Sequence, residues 1–153
     1  MRSDDSIIID SCVNIPNDWT ILKQYGTGAG WNLAGSDVTF PYAGEWKVCY
    51  GATFLHDGSA NTLEVGLTLT KNGSKLPAST IFQTFHNKGH VYQLHGSYLV
   101  DIQNPVTDFI NLIISPSDAI TLQSYSDGAC IDAAAAYMDI TYAGGGYGID
   151  YTL

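Results

Sequence analysis

Positive charge is scarce in this sequence. Its 153 residues include only 6 Lys and Arg against 15 Asp and Glu, a formal net charge of −9. A surface this acidic repels a phosphate backbone, which excludes nucleic acid as a partner. An anionic membrane surface is excluded on the same ground. Long apolar runs are also missing: no stretch approaches the roughly 20 residues of a membrane-spanning helix. The N-terminal MRSDDSIIID carries one Arg and then acids, and its apolar run is far shorter than that of a secretory leader. Synthesis in a cytosol without export by the usual signal is therefore expected. Cysteine is rare. Cys12, Cys49 and Cys130 include no C-x-x-C pair. At least one stays unpaired, and all are expected as buried reduced thiols. Nor is a disulfide or metal staple needed, because one domain of this length buries roughly 70% of its unfolded surface.

What the sequence has in quantity is β-forming residues. Aromatics make up 12% of it, ten of them Tyr, and 16 Gly punctuate the chain. That composition suits strands better than helices. In EWKVCYGATFLH, Trp46, Val48, Tyr50, Ala52 and Phe54 fall on one side. Glu45, Lys47, Cys49, Gly51 and Thr53 fall on the other. This is the alternation of a half-buried strand. In TLEVGLTLTKNGSKL, Leu63, Val65, Leu67 and Leu69 alternate with Glu64, Gly66, Thr68 and Thr70. Asn72-Gly73 then supplies tight-hairpin chemistry. SIIIDSCV, WTILKQYG, TIFQTF, HVYQLHGSYLVDI, FINLIIS, AITLQSY and AAYMDITYA read as further strands. Asn104-Pro105, Pro116, Asp118 and Asp127-Gly128 separate them. The run Ala133–Ala136 has helix propensity, but YMDITY alternates and a strand is expected there. YGTGAGW precedes no helix, so it reads as a turn rather than a phosphate loop. There is no internal repeat and no long linker. One compact antiparallel sandwich or barrel is expected. Residues 1–36 form an N-terminal β-rich segment, 37–143 the main unit and 144–153 a Gly/Tyr tail.

Several of these stretches carry a family resemblance. FPYAGEWKVCYGATF resembles the aromatic-Pro-x-x-Gly-x-aromatic strand opening of the C1q/tumour-necrosis-factor-like jelly rolls. LTLTKNGSKL resembles that family's hairpin ending in Lys-Asn-Gly. LIISPSDAITLQSY resembles its turn between two leucine-rich strands, with Ser117 where the family has Gly. AAYMDITYA resembles its closing strand, with Tyr137-Met138-Asp139 in place of Phe-Ser-Gly. The resemblance spans roughly Asp37 to Ala143. It implies an all-β antiparallel jelly-roll sandwich that forms a homotrimer.

Self-association also has a motive in the residues. FINLII is apolar on both faces, with Phe109 and Ile113 on one and Ile110, Leu112 and Ile114 on the other. One face of an antiparallel sheet usually meets water and is polar. The resemblance implies that this strand lies in the inner sheet, between core and threefold axis, with Tyr137 pointing to the same axis. Phe109, Leu112, Ile114, Tyr137 and Asp139 are thus the expected trimer interface. The alternative is that a loop of the same chain covers FINLII.

Catalytic and metal-binding patterns are weak. There is no G-x-S-x-G elbow and no H-E-x-x-H. His86 and His90 in HNKGH lie in a Gly-containing turn, read as a polar loop rather than a metal site. Asp57, Asn61 and Glu64 in HDGSANTLE offer oxygen ligands, but their spacing fits no full calcium loop. Asp127 reads as turn chemistry. No catalytic residue, metal or cofactor is expected.

The expected function is structural. A trimeric virion protein, made in a host cytoplasm, would decorate or cement a capsid. The alternative is a receptor- or glycan-binding knob of a fibre or surface appendage, using loop aromatics such as Trp31 and Tyr147. Ile7, Ile8 and Ile9 are apolar on both faces, which an exposed edge strand avoids. They are expected either to dock onto a partner's sheet edge or to form the first strand of the fold.

Overall fold

The computed structural model describes residues 37–105, 107–126, 128–130 and 133–144, together with the backbone of residues 2–3, 7–9, 13–15, 33–34 and 132. Trp31, Tyr147, Cys12 and Asp127, and the stretches WTILKQYG and YGTGAGW, lie outside the described residues.

The described chain is all-β. Four short strands come first: β1 (Arg2–Ser3), β2 (Ile7–Ile9), β3 (Val13–Ile15) and β4 (Leu33–Ala34). The main unit follows with β5 (Asp37–Thr39), β6 (Gly44–His56), β7 (Leu63–Lys71), β8 (Ser74–Lys75) and β9 (Ile81–Phe85). Then come β10 (Val91–Ile102), β11 (Phe109–Pro116), β12 (Ile120–Leu122), β13 (Tyr125–Ser126), β14 (Asp132–Ala133) and β15 (Ala136–Gly144). A single 3-10 turn, Pro77–Ser79, interrupts them before β9. The Ala run before β15 is not helical: Ala135 and Ala136 are buried against the core as the last strand begins.

Two antiparallel sheets pack face to face. The first runs β1-β15-β6-β12-β2, with β10 on the other edge of β6. The second runs β4-β5-β11-β7-β8, with β3 beside β11 and β9 beside β7. The chain alternates between the sheets: β5 in the second, β6 in the first, β7 and β9 in the second, β10 in the first, β11 in the second, β15 in the first.

Alternation places the core. Trp46, Val48, Tyr50, Ala52 and Phe54 of β6 face Leu63, Val65, Leu67 and Leu69 of β7 and Ile110, Leu112 and Ile114 of β11 within one buried cluster. Between β7 and β8, Asn72 and Gly73 both take positive φ, 52° and 80°. That is the backbone a two-residue hairpin requires. Tyr50 spans the sandwich, its hydroxyl donating to the carbonyl of Ser79. Its ring passes its cross-strand partner Gly96, where a Cβ would lie 2.9 Å from the ring.

Two expectations are corrected. FINLII is not in the sheet of the closing strand. β11 lies in the second sheet, between β7 on one edge and β3 and β5 on the other, whereas β15 lies in the first. Leu112 and Ile114 are fully buried in the chain's own core, so they do not face an axis. The reason is the phase of alternation: the even residues of β11 pair with the inward Leu69 and Leu67 of β7. Phe109 and Ile113 occupy the opposite face and are half-buried. Second, the two described cysteines are not fully buried. Cys49 falls on the outward phase of β6 and is half-buried, and Cys130 is exposed. Of its two expected placements, Ile7–Ile9 takes that of a strand of the fold, paired with Ile120–Leu122 of the same chain.

Candidate functional site

The outward face of β15, β6 and β10 holds the most distinctive surface. Its rows follow from the register. Tyr137, Gly51 and His95 are neighbours across the three strands; so are Asp139, Cys49 and Ser97, and so are Thr141, Lys47 and Leu99. The central strand contributes small side chains, Cys49, Gly51 and Thr53. Tyr137 and His95 close over Gly51: the Tyr137 hydroxyl lies 2.8 Å from His95 Nδ1. A Cβ on Gly51 would sit 2.4 Å from Tyr137 Cε1 and 2.8 Å from His95 Nδ1. Burial raises the Tyr137 pKa above its ordinary value, and Cys49 and Asp139 add to the rise. The phenol therefore stays neutral at physiological pH. Leu99 is 53% exposed at the far row and, with Lys47, Ser97 and Tyr98, lines a shallow depression of about 500 Å³.

Of the five expected interface residues, this face holds two, Tyr137 and Asp139. Phe109 lies on the outer face of the second sheet, near no residue of this group. Gly51, His95, Ser97 and Leu99 were not singled out from the sequence. Gly51 lies on the outward phase of the strand beginning EWKVCYG, where Cys49, Gly51 and Thr53 follow Glu45 and Lys47, and His95, Ser97 and Leu99 lie on one phase of HVYQLHGSYLVDI.

The remaining candidates are dispersed. His86 and His90 are exposed around the turn at Gly89, whose φ is +77°. Asp57 Oδ2 accepts from the Thr121 hydroxyl at 2.7 Å, while Asn61 and Glu64 are exposed. Among the described residues, no three His, Cys, Asp or Glu side chains converge as a metal site would require.

A dyad that the sequence did not flag ties two loops together. His56 closes the inward phase of β6 and is buried, its Nε2 2.9 Å from Asp118 Oδ2. Asp118 also accepts from the Ala60 amide at 2.8 Å. The His56 hydrogen bond, then that amide, hold its pKa below the ordinary carboxylate value. The His56–Asp118 pair fastens the loop after β6 to the loop before β12.

Exposed aromatics gather at one end of the sandwich. Tyr42 and Tyr142 stand 4.9 Å apart, ring centre to ring centre, over Trp46, whose Nε1 donates to the Tyr42 carbonyl at 3.1 Å.

No protein-family model matches the chain, and none of the curated proteins compared with it matches.

Proposed function

We propose that the chain is a non-catalytic structural protein of C1q/tumour-necrosis-factor-like jelly-roll type. It assembles as a homotrimer through the outward face of β15, β6 and β10, and decorates or cements a capsid. One observation carries the self-association: among its polar residues Lys47, Asp139 and Thr141, this sheet face presents Cys49, Gly51, the Tyr137–His95 bridge and a Leu99 that stands exposed. Burying such a face against copies of itself removes the apolar area of Leu99 and the Tyr137 ring from water.

The strand order supports the jelly-roll reading. Taken in chain order, β1, β5, β6, β7, β9, β10, β11 and β15 fill one sheet as first, eighth, third, sixth and the other as second, seventh, fourth, fifth. With β2, β3, β4, β8 and β12 set aside, this order is the one a jelly roll would have, which supports the reading. A decorating protein also needs a second surface. The outer face of the second sheet offers Phe82, which is 62% exposed, with half-buried Phe109 and Ile113. Exposed apolar patches of this kind mark protein contacts.

Light scattering on the purified protein at micromolar concentration should report about three chains per particle, as a closed cyclic assembly requires. Leu99→Glu places a charge on the proposed interface at an exposed position, where folding cost is small. It should give a folded monomer. A wild-type monomer, or a Leu99→Glu protein that stays trimeric, would overturn the proposed interface.

A further inference from the structure

We propose that a cleft between the start of β10 and the β13–β14 hairpin binds a neutral sugar ring of a glycan. The cleft has a volume of about 450 Å³ and is lined by Thr53, Gly89, His90, Val91, Gln93, Tyr125 and Ala133. Its origin is a change of partner along β6. Up to Ala52 that edge pairs with β15, and from Phe54 it pairs with β12. At Thr53 the two partners diverge: its amide donates to the Ala135 carbonyl and its carbonyl accepts from the Gln123 amide. The chain between these points leaves the sheet as the β13–β14 hairpin and overhangs Gln93.

The lining selects the ligand. The described lining carries no Asp, Glu, Lys or Arg side chain; the side chains of Asp127 and Asp132 in the hairpin lie outside the described residues. A phosphorylated or carboxylated ligand would find no cation there and a net negative protein around it. A purely apolar ligand would bury polar groups without partners, which is costly. Several groups have bonding capacity to spare. The Gln93 amide nitrogen donates to the Thr53 hydroxyl at 3.1 Å, which leaves its oxygen facing the cleft as an acceptor. The His90 ring and the Tyr125 hydroxyl make no hydrogen bond to other described residues. The Tyr125 ring is 40% exposed. Its electron-rich face attracts the polarised C–H groups of one side of a pyranose. One aromatic platform, several uncharged polar groups and a volume within the small-ligand range of about 300–1,000 Å³ match a sugar ring.

The test uses saturation-transfer NMR with the methyl glycosides of glucose, galactose, mannose and N-acetylglucosamine. Each is supplied at roughly 10 mM, which populates a millimolar complex. At least one should receive saturation, strongest on the ring protons of one face. Tyr125→Ala should abolish the transfer and His90→Ala should weaken it several-fold, with the melting temperature unchanged because both positions are exposed. Tyr125→Phe, which keeps the ring, should retain it. No transfer to any of the four sugars, or transfer undiminished in Tyr125→Ala, would overturn the proposal. Oligomeric state is a separate readout: a sugar-binding monomer would leave this site standing and remove the trimer reading.

Discussion

Tyr137 and His95 meet above Gly51. They belong to strands that do not pair with each other, and β6 lies between them. Their 2.8 Å hydrogen bond therefore acts as a strap across three strands on the solvent side of the sheet. The strap exists only because the middle strand lacks a side chain at that point. A methyl group there would occupy the space of the Tyr137 ring edge and the His95 Nδ1.

Gly51→Ala should open the strap. Overpacking of a well-filled site costs about 1–3 kcal/mol, and in a domain of this length that lowers the melting temperature by roughly 2–12 °C. Tyr137→Phe separates sterics from hydrogen bonding. It should cost no more than about 0.5–1.5 kcal/mol, the net worth of one hydrogen bond. Thermal unfolding followed by circular dichroism measures both. A Gly51→Ala protein as stable as wild type would mean that the rings part freely and that the strap does not constrain the face.

Acid should weaken the fold through Asp108. Burial alone would raise its pKa, but hydrogen bonds from Asn72 Nδ2 and the Asn104 and Gln103 amides, with Lys71 nearby, outweigh burial and hold it at about 2. The Asn72 and the two amide contacts measure 2.9, 3.0 and 3.0 Å, and Lys71 Nζ lies at 3.5 Å. In the unfolded chain the carboxyl titrates near its ordinary value of about 3.9. Its stabilisation is therefore complete above about pH 4 and is lost as pH falls towards 2. Asp118 is shifted in the same direction, first by His56, and its contribution is lost on the same side. Asp108→Asn should lower the melting temperature at pH 7 and flatten its fall between pH 4 and 2. An unchanged acid profile in that variant would place the acid sensitivity elsewhere.

Local patterns were legible in the sequence, and long-range partners were not. The alternation of Trp46 to Phe54 and of Leu63 to Leu69 fixed which residues face inward, and Asn72-Gly73 marked its own turn. The sheet to which FINLII belongs was misread. Its membership depends on pairing with Thr39 and Val38 on one side and with Leu67 to Lys71 on the other. Its two apolar faces carry no record of those partners. In the structure Asp118 is engaged by His56, 62 residues distant. Tyr137 was identified as outward-facing from alternation alone. His95, 42 residues away, could be matched to it only once the register through Gly51 was known. The polar cleft beside Thr53 had no linear signal, because it arises where β6 changes partners.

The N-terminal strand provides the last test. Ile7, Ile8 and Ile9 pair with Leu122, Thr121 and Ile120, and β12 in turn pairs with the end of β6. Removing residues 1–10 deletes β1 and β2, and so uncovers two edges of the first sheet at once: that of β12 and that of β15. Exposed edges with unpaired backbone groups invite association with other chains. Ile120 and Leu122 are fully buried, so loosening β12 also opens the core. The truncated protein should melt at a lower temperature and aggregate on heating, and hydrogen exchange should rise first at Ile120–Leu122. If the truncated chain instead melts like the full one and remains trimeric but no longer binds its particle, the segment serves docking. The pairing with β12 would then be a resting position that a partner's sheet edge replaces.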